Sequence, residues 1–165
     1  MVTVVLLAGG KSHRMGQDKA MMSGGVARLR TLATQCGVER IVTLCGEGAR
    51  QSLFEGETWP DPPSCDSLSK VLEWVFGNIE GAIQLISCDS FQLEREGLDF
   101  LLSSEGGVPL DENGVRQPLL AHCPSEWELG PSDGKISSLF SAFRELDPGG
   151  LASQMKNFNT PLDWT

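Results

Sequence analysis

Basic side chains are scarce in this chain. Its 13 Lys and Arg stand against 22 Asp and Glu, a formal net charge of −9 over 165 residues. A protein that grips duplex nucleic acid needs a basic face to displace counterions from phosphates, so no nucleic acid partner is expected. A single nucleotide stays within reach, because it asks only for a local positive spot and a metal ion. Metal-site spacing is missing too. Cys36, Cys45, Cys65, Cys88 and Cys123 form no C-x-x-C pair, and His13 and His122 do not complete a zinc set. The odd cysteine count suits small apolar residues in a reducing cytosol, so a cytoplasmic location is expected. The opening apolar run ending at Leu7 is too short for a membrane span. It also lacks the basic flank of a signal peptide, so no membrane partner is expected. There is no internal repeat, low-complexity tract or linker, and 40% hydrophobic with 21% charged residues is an ordinary globular balance. One domain spanning residues 1–165 is the simplest organisation.

The residues that are present set out a regular alternation. Val2 to Leu7 is a continuous β-branched and aliphatic run of the kind found in central parallel strands buried on both faces. Val26, Leu29, Ala33 and Cys36 recur at helical spacing, and Gly37 ends that helix. Arg40 to Cys45 reads as the second strand. A short helix near Ala49 to Phe54 precedes an extended stretch forced by Pro60, Pro62 and Pro63. From Ser67 onward, Leu68, Val71, Leu72, Val75 and Phe76 trace a helical stripe that Gly77 and Asn78 stop. Ala82 to Ile86 reads as a strand leading to Cys88-Asp89-Ser90, and Leu98 to Leu102 as a helix. Val108 to Leu110 and Leu119 to His122 read as short strands around an Asn113-Gly114 turn. Ile136 to Leu146 reads as a helix and Gln154 to Phe158 as a last strand. This order predicts an α/β fold: a doubly wound, mostly parallel sheet with helices on both faces. Ligands on such sheets bind beyond the carboxyl ends of the strands. That edge holds the loop after Leu7 and the loop at Asp89.

The first loop reads Leu7-Ala8-Gly9-Gly10-Lys11-Ser12-His13-Arg14-Met15-Gly16-Gln17-Asp18-Lys19. Two glycines directly after a strand allow a sharp turn and let a ligand approach the backbone amides. Successive amides can form an anion-binding concavity. Arg14 can grip phosphate bidentately, and Lys19 adds a point charge. The loop matches neither G-x-x-x-x-G-K-[ST] nor G-x-G-x-x-G.

The string closely resembles the signature L-A-G-G-x-S-x-R-M-G-x-D-K of the molybdenum cofactor guanylyltransferases, nucleotidyltransferases with a Rossmann-like sheet similar to that of the nucleotide-diphospho-sugar transferases. The resemblance implies transfer of GMP from GTP to the phosphate of molybdopterin, with release of pyrophosphate. It implies that Leu7, Ala8, Gly9, Gly10 and Lys19 bind the nucleotide, with Asp61 and Asp89 beside it. Asp89, in a Cys88-Asp89 pair similar to the family's C-D-x-P element, would hold Mg²⁺, and Arg14, Lys19 and Asp89 would serve catalysis. Asn157 and Asn159, in a segment that resembles N-x-N-T-P, would contact the acceptor. Transient contacts with molybdenum cofactor biosynthesis proteins or recipient enzymes are implied as well. Two departures leave CTP, another phosphate acceptor, or an inactive binding relative open. No Asn follows Cys45, and Ser64 to Lys70 stands where the family has a G-P-L-x-G turn.

Overall fold

A computed structural model of the protein describes residues 1–9, 25–131 and 133–156. Five strands lie in the order β3-β2-β1-β4-β6. β1 (Val2–Leu7) runs parallel to β2 (Arg40–Gly46) on one side and to β4 (Ala82–Ser87) on the other. β3 (Thr58–Pro60) continues the parallel set beyond β2, and β6 (His122–Cys123) is antiparallel to β4. A second, two-stranded sheet pairs β5 (Val108–Pro109) with β7 (Glu145–Leu146) in parallel, and an antiparallel bridge from Gly107 to His122 joins the two sheets.

The central place of β1 follows from its composition, because only a strand with no polar face can be covered on both sides. Val4 and Leu6 pack into one core with Val26, Leu29 and Ala33 of α1 (Gly25–Gln35) and with Leu98 and Leu101 of α3 (Arg95–Ser103). Val5 and Leu7 point the other way, into a core with Val71, Leu72 and Val75 of α2 (Leu68–Asn78) and Leu139 of the short α4 (Ile136–Leu139). Fully burying such a side chain contributes about 1.5–3 kcal/mol, so the alternation along β1 ties both layers to one strand. This is the expected doubly wound α/β arrangement.

Several elements differ from the sequence expectation. The helix expected over Ile136 to Leu146 ends at Leu139. Arg116 Nη2 donates to the carbonyls of Phe140 (2.8 Å) and Phe143 (3.1 Å), and Val108 N and Leu110 N donate to the carbonyls of Arg144 and Leu146. Carbonyls engaged across the chain do not continue a helix, and residues 145–146 become β7. In place of a strand from Leu119, Pro118–Leu120 form a 3₁₀ turn and only His122 and Cys123 pair. Gly149–Met155 is 3₁₀ where a strand was expected from Gln154; Lys156 follows without regular structure, and residues 157–158 lie outside the described residues. α2 starts after an N-cap at Ser67, whose Oγ accepts from Lys70 N. It runs through Gly77 and Asn78 rather than stopping there, and Asn78 Nδ2 donates back to Trp74 O at 2.7 Å. The Asn113-Gly114 turn is present, but Asp111 closes it by accepting from the amides of Asn113 and Val115, and only Leu110 and Arg116 bridge across it.

His122 is a core residue. Its Nδ1 lies 3.0 Å from Gln84 Oε1, while Gln84 Nε2 donates to Leu120 O at 2.9 Å. Those carbonyl acceptors orient the amide, so Nδ1 carries the imidazole proton.

Candidate active site

The carboxyl ends of β1 and β4 meet side by side. Leu7 stands opposite both Leu44 and Ser87, Leu7 O accepts from Cys88 N at 3.1 Å, and Ala8 N donates to Leu44 O at 2.9 Å. The first loop therefore leaves the sheet between β2 and the Asp89 turn. Gly9 here serves chain packing as well as any ligand. A Cβ on it would lie 2.8 Å from both Cα and N of Gly46, which itself adopts φ +79°. Arg50, from the 3₁₀ segment Gly48–Leu53, closes the same corner. Its Nε donates to Cys45 O at 2.9 Å and its Nη2 to Ala8 O at 2.8 Å, so one guanidinium clamps the ends of two parallel strands. Nothing local in the sequence marks Arg50, because both acceptors are backbone carbonyls.

Asp89 is buried, with 5% of its surface exposed. Ser87 Oγ donates to Asp89 Oδ1 at 2.5 Å, which fixes the carboxylate at the strand end. Next to it, Ser90 is fully buried, and its Oγ has no hydrogen-bond partner among the described residues. The turn is held from outside by Arg28 on α1, whose Nη1 donates to Leu93 O (2.7 Å) and Nη2 to Ser90 O (3.0 Å). A basic residue flanking the apolar stripe of α1 is the one sequence signal that could have pointed to it. No three His, Cys, Asp or Glu side chains gather into a metal cluster among the described residues. Mg²⁺ commonly takes one or two carboxylates and completes its shell with substrate phosphates and water. The buried Asp89 carboxylate offers the hard oxygen that such an ion takes.

Asp61 follows β3 on the same edge, with its N donating to Gly46 O at 2.7 Å. Gly46 thus touches both Gly9 and Asp61. Partial burial raises the Asp61 carboxyl above its ordinary value. Leu7, Ala8, Gly9, Asp61 and Asp89 consequently share one edge, with Asp89 beside β1 and Asp61 on the far side of β2. Gly10, Arg14, Lys19, Asn157 and Asn159 lie outside the described residues. The divergent turn before α2 is tied by an Asp66–Lys70 ion pair at 3.0 Å and by the Ser67 cap, where the guanylyltransferase signature has glycine and proline.

A parallel α/β sheet with a glycine loop and a buried aspartate at the carboxyl ends of adjacent strands has the layout of a nucleotide-binding protein of the doubly wound class. Residues 4–146 match the MobA-like NTP transferase domain, and the chain belongs to that family of nucleotidyltransferases. It is 27% identical to a protein of Synechococcus elongatus named a probable molybdenum cofactor guanylyltransferase, over 97% of this chain and 94% of the relative. Two solved structures share the fold at 18% identity. One is a protein of Aquifex aeolicus VF5, with a TM-score of 0.72 over 96% of this chain and 93% of the other. The second is molybdopterin-guanine dinucleotide biosynthesis protein A of Archaeoglobus fulgidus, with a TM-score of 0.67 over 98% and 94%.

Proposed function

We propose that the chain transfers GMP from GTP to the phosphate of molybdopterin and releases pyrophosphate. The observation that carries the reading is the junction of Leu7–Gly9 with the Asp89 turn, joined by the Cys88 N to Leu7 O hydrogen bond at 3.1 Å. The start of the first loop and the buried Asp89 carboxylate therefore leave the same edge of the sheet, which supports the reading. The acceptor phosphate oxygen attacks the α-phosphorus in line, a new P–O bond forms, and the bond to the β-phosphate oxygen breaks. Positioning and charge neutralisation supply most of the rate in such transfers, and no covalent nucleophile is required. Asp89 would hold Mg²⁺, and Asp61 is assigned to the nucleotide on the family resemblance. Gly10, Arg14 and Lys19 are assigned to the triphosphate, and Asn157 and Asn159 to the acceptor, on the family signature. Mg²⁺, when bound, neutralises charge on the transferring group.

The side chains of Asp66 and Lys70 in the turn before α2 favour a second reading, in which another nucleotide or another phosphate acceptor is used. One assay separates the two: pyrophosphate release from each of the four ribonucleoside triphosphates with Mg²⁺ and molybdopterin. GTP-selective release that falls about 100-fold or more in Asp89→Asn supports the guanylyl reading. CTP-selective release supports the second, and turnover undiminished in Asp89→Asn overturns the assignment of the site.

A further inference from the structure

Backbone groups alternate in direction at the carboxyl end of β1. Leu7 O faces β4, where it accepts from Cys88 N at 3.1 Å, and Ala8 N faces β2, where it donates to Leu44 O at 2.9 Å. Ala8 O turns to the β2 side as well. Arg50 Nη2 donates to it at 2.8 Å, and Arg50 Nε donates to Cys45 O, in β2, at 2.9 Å. Ala8 and Cys45 are both buried, and buried carbonyls need protein donors. The peptide that joins Ala8 to Gly9 is trans. In a planar trans peptide the N–H points opposite to the C=O. The Gly9 N–H therefore points away from Arg50, to the β4 side from which the Asp89 turn leaves.

We propose that Arg50 is a positioning residue for nucleotide binding: it sets the Ala8–Gly9 peptide so that the Gly9 amide faces the phosphates. The inference rests on the proposed nucleotidyl transfer. Glycine accepts φ values that other residues avoid, so the peptide before a glycine turns over at low cost unless its carbonyl is held. Here a charged donor holds it, the stronger kind of hydrogen bond. A turned-over peptide presents a carbonyl oxygen where the N–H was, and that oxygen repels the anion the amide attracts. The planar fork is the part that matters. Nε and Nη2 donate at once to carbonyls on neighbouring strands, so β2 becomes the fixed reference for the Gly9 peptide. The Phe54 ring, its centroid 5.8 Å from Arg50 Cζ, supports the guanidinium in that place.

The test is calorimetric titration of the full chain with GTP and with guanosine, both with Mg²⁺, in wild type, Arg50→Lys and Arg116→Lys. Lysine keeps the charge and loses the fork. Arg116 is the control because its Nη2 holds two carbonyls elsewhere, Phe140 O at 2.8 Å and Phe143 O at 3.1 Å. Wild type is expected to prefer GTP over guanosine. Arg50→Lys should lower that preference about tenfold by weakening GTP alone, and Arg116→Lys should leave it unchanged. In isotope-labelled wild type, the Gly9 amide resonance should move with GTP and stay in place with guanosine, a readout that depends on no variant folding. A full preference kept in Arg50→Lys, a loss of affinity there that guanosine shares, an equal fall in Arg116→Lys, or a Gly9 amide unmoved by GTP overturns the positioning role while the proposed function stands. A wild type with no preference for GTP overturns the proposed function, and this role with it.

Discussion

Replacing Gly9 with alanine puts a methyl carbon 2.8 Å from Cα and N of Gly46 and 3.3 Å from the carbonyl carbon of Cys45. Non-bonded carbons sit comfortably at about 3.5–4.0 Å, so the overlap is most of an ångström. The atoms it meets are backbone, and they are held in place. Arg50 clamps Cys45 O and Ala8 O, and Asp61 N holds Gly46 O at 2.7 Å. The strain must therefore spread into the ends of β1 and β2. Overpacking of this kind costs about 1–3 kcal/mol. For a domain of this size each kcal/mol lowers Tm by about 2–4 °C, so Gly9→Ala is expected to melt about 2–12 °C below wild type. Two controls separate packing from conformation. Gly48 has ordinary φ and its nearest neighbour is Pro60 Cβ at 4.0 Å, so Gly48→Ala should stay within about 0.5 kcal/mol of wild type. Gly37 has φ +86° and open space around it, so Gly37→Ala should lose only about 1 kcal/mol, the cost of a left-handed residue with a side chain. Calorimetric melting of the four proteins, followed by GTP titration, reads the result. On the proposed function, Gly9→Ala should also bind GTP more weakly, because the displaced residues begin the loop assigned to the triphosphate. A Gly9→Ala protein that melts with wild type, or a Gly48→Ala protein that falls as far, refutes the packing argument.

Arg50→Ala should lose about 2–3 kcal/mol in urea unfolding, since it strands two strand-end carbonyls; Arg50→Lys should recover only part, because an ammonium lacks the planar fork that spans both. His122 supplies a pH dependence. Burial holds its imidazole below the ordinary 6.5, so the unfolded chain takes up the proton first as pH falls. The stability it contributes is present above about pH 6.5 and is lost as pH drops through the folded value. The urea midpoint of wild type should decline between about pH 7 and pH 5, and that of a folded His122→Gln variant should decline less. Equal slopes would count against a buried neutral imidazole. Loss of turnover in Asp89→Asn completes the set.

What the sequence determined by itself was the layering and the family. β1 is legible because no residue from Val2 to Leu7 is charged, and a run with no solvent face must sit in the middle of a sheet covered on both sides. α1 and the core of α2 are legible because their apolar residues repeat once per turn. The string Leu7 to Lys19 is legible because it resembles a family signature, and residues 4–146 match that family. Periodicity reports which way a side chain faces, and not what it meets. Tertiary structure alone decided that Gly9 lies against Gly46, that Arg50 ties two strand ends, and that Arg28 reaches carbonyls more than sixty residues away at Ser90 and Leu93. It also decided that Arg116 captures the carbonyls a longer α4 would have needed, and turned Glu145 and Leu146 into a strand. In each case at least one deciding partner is a backbone atom distant in the chain. A backbone carbonyl looks the same at every position of a sequence, so only the folded arrangement could reveal which one is met.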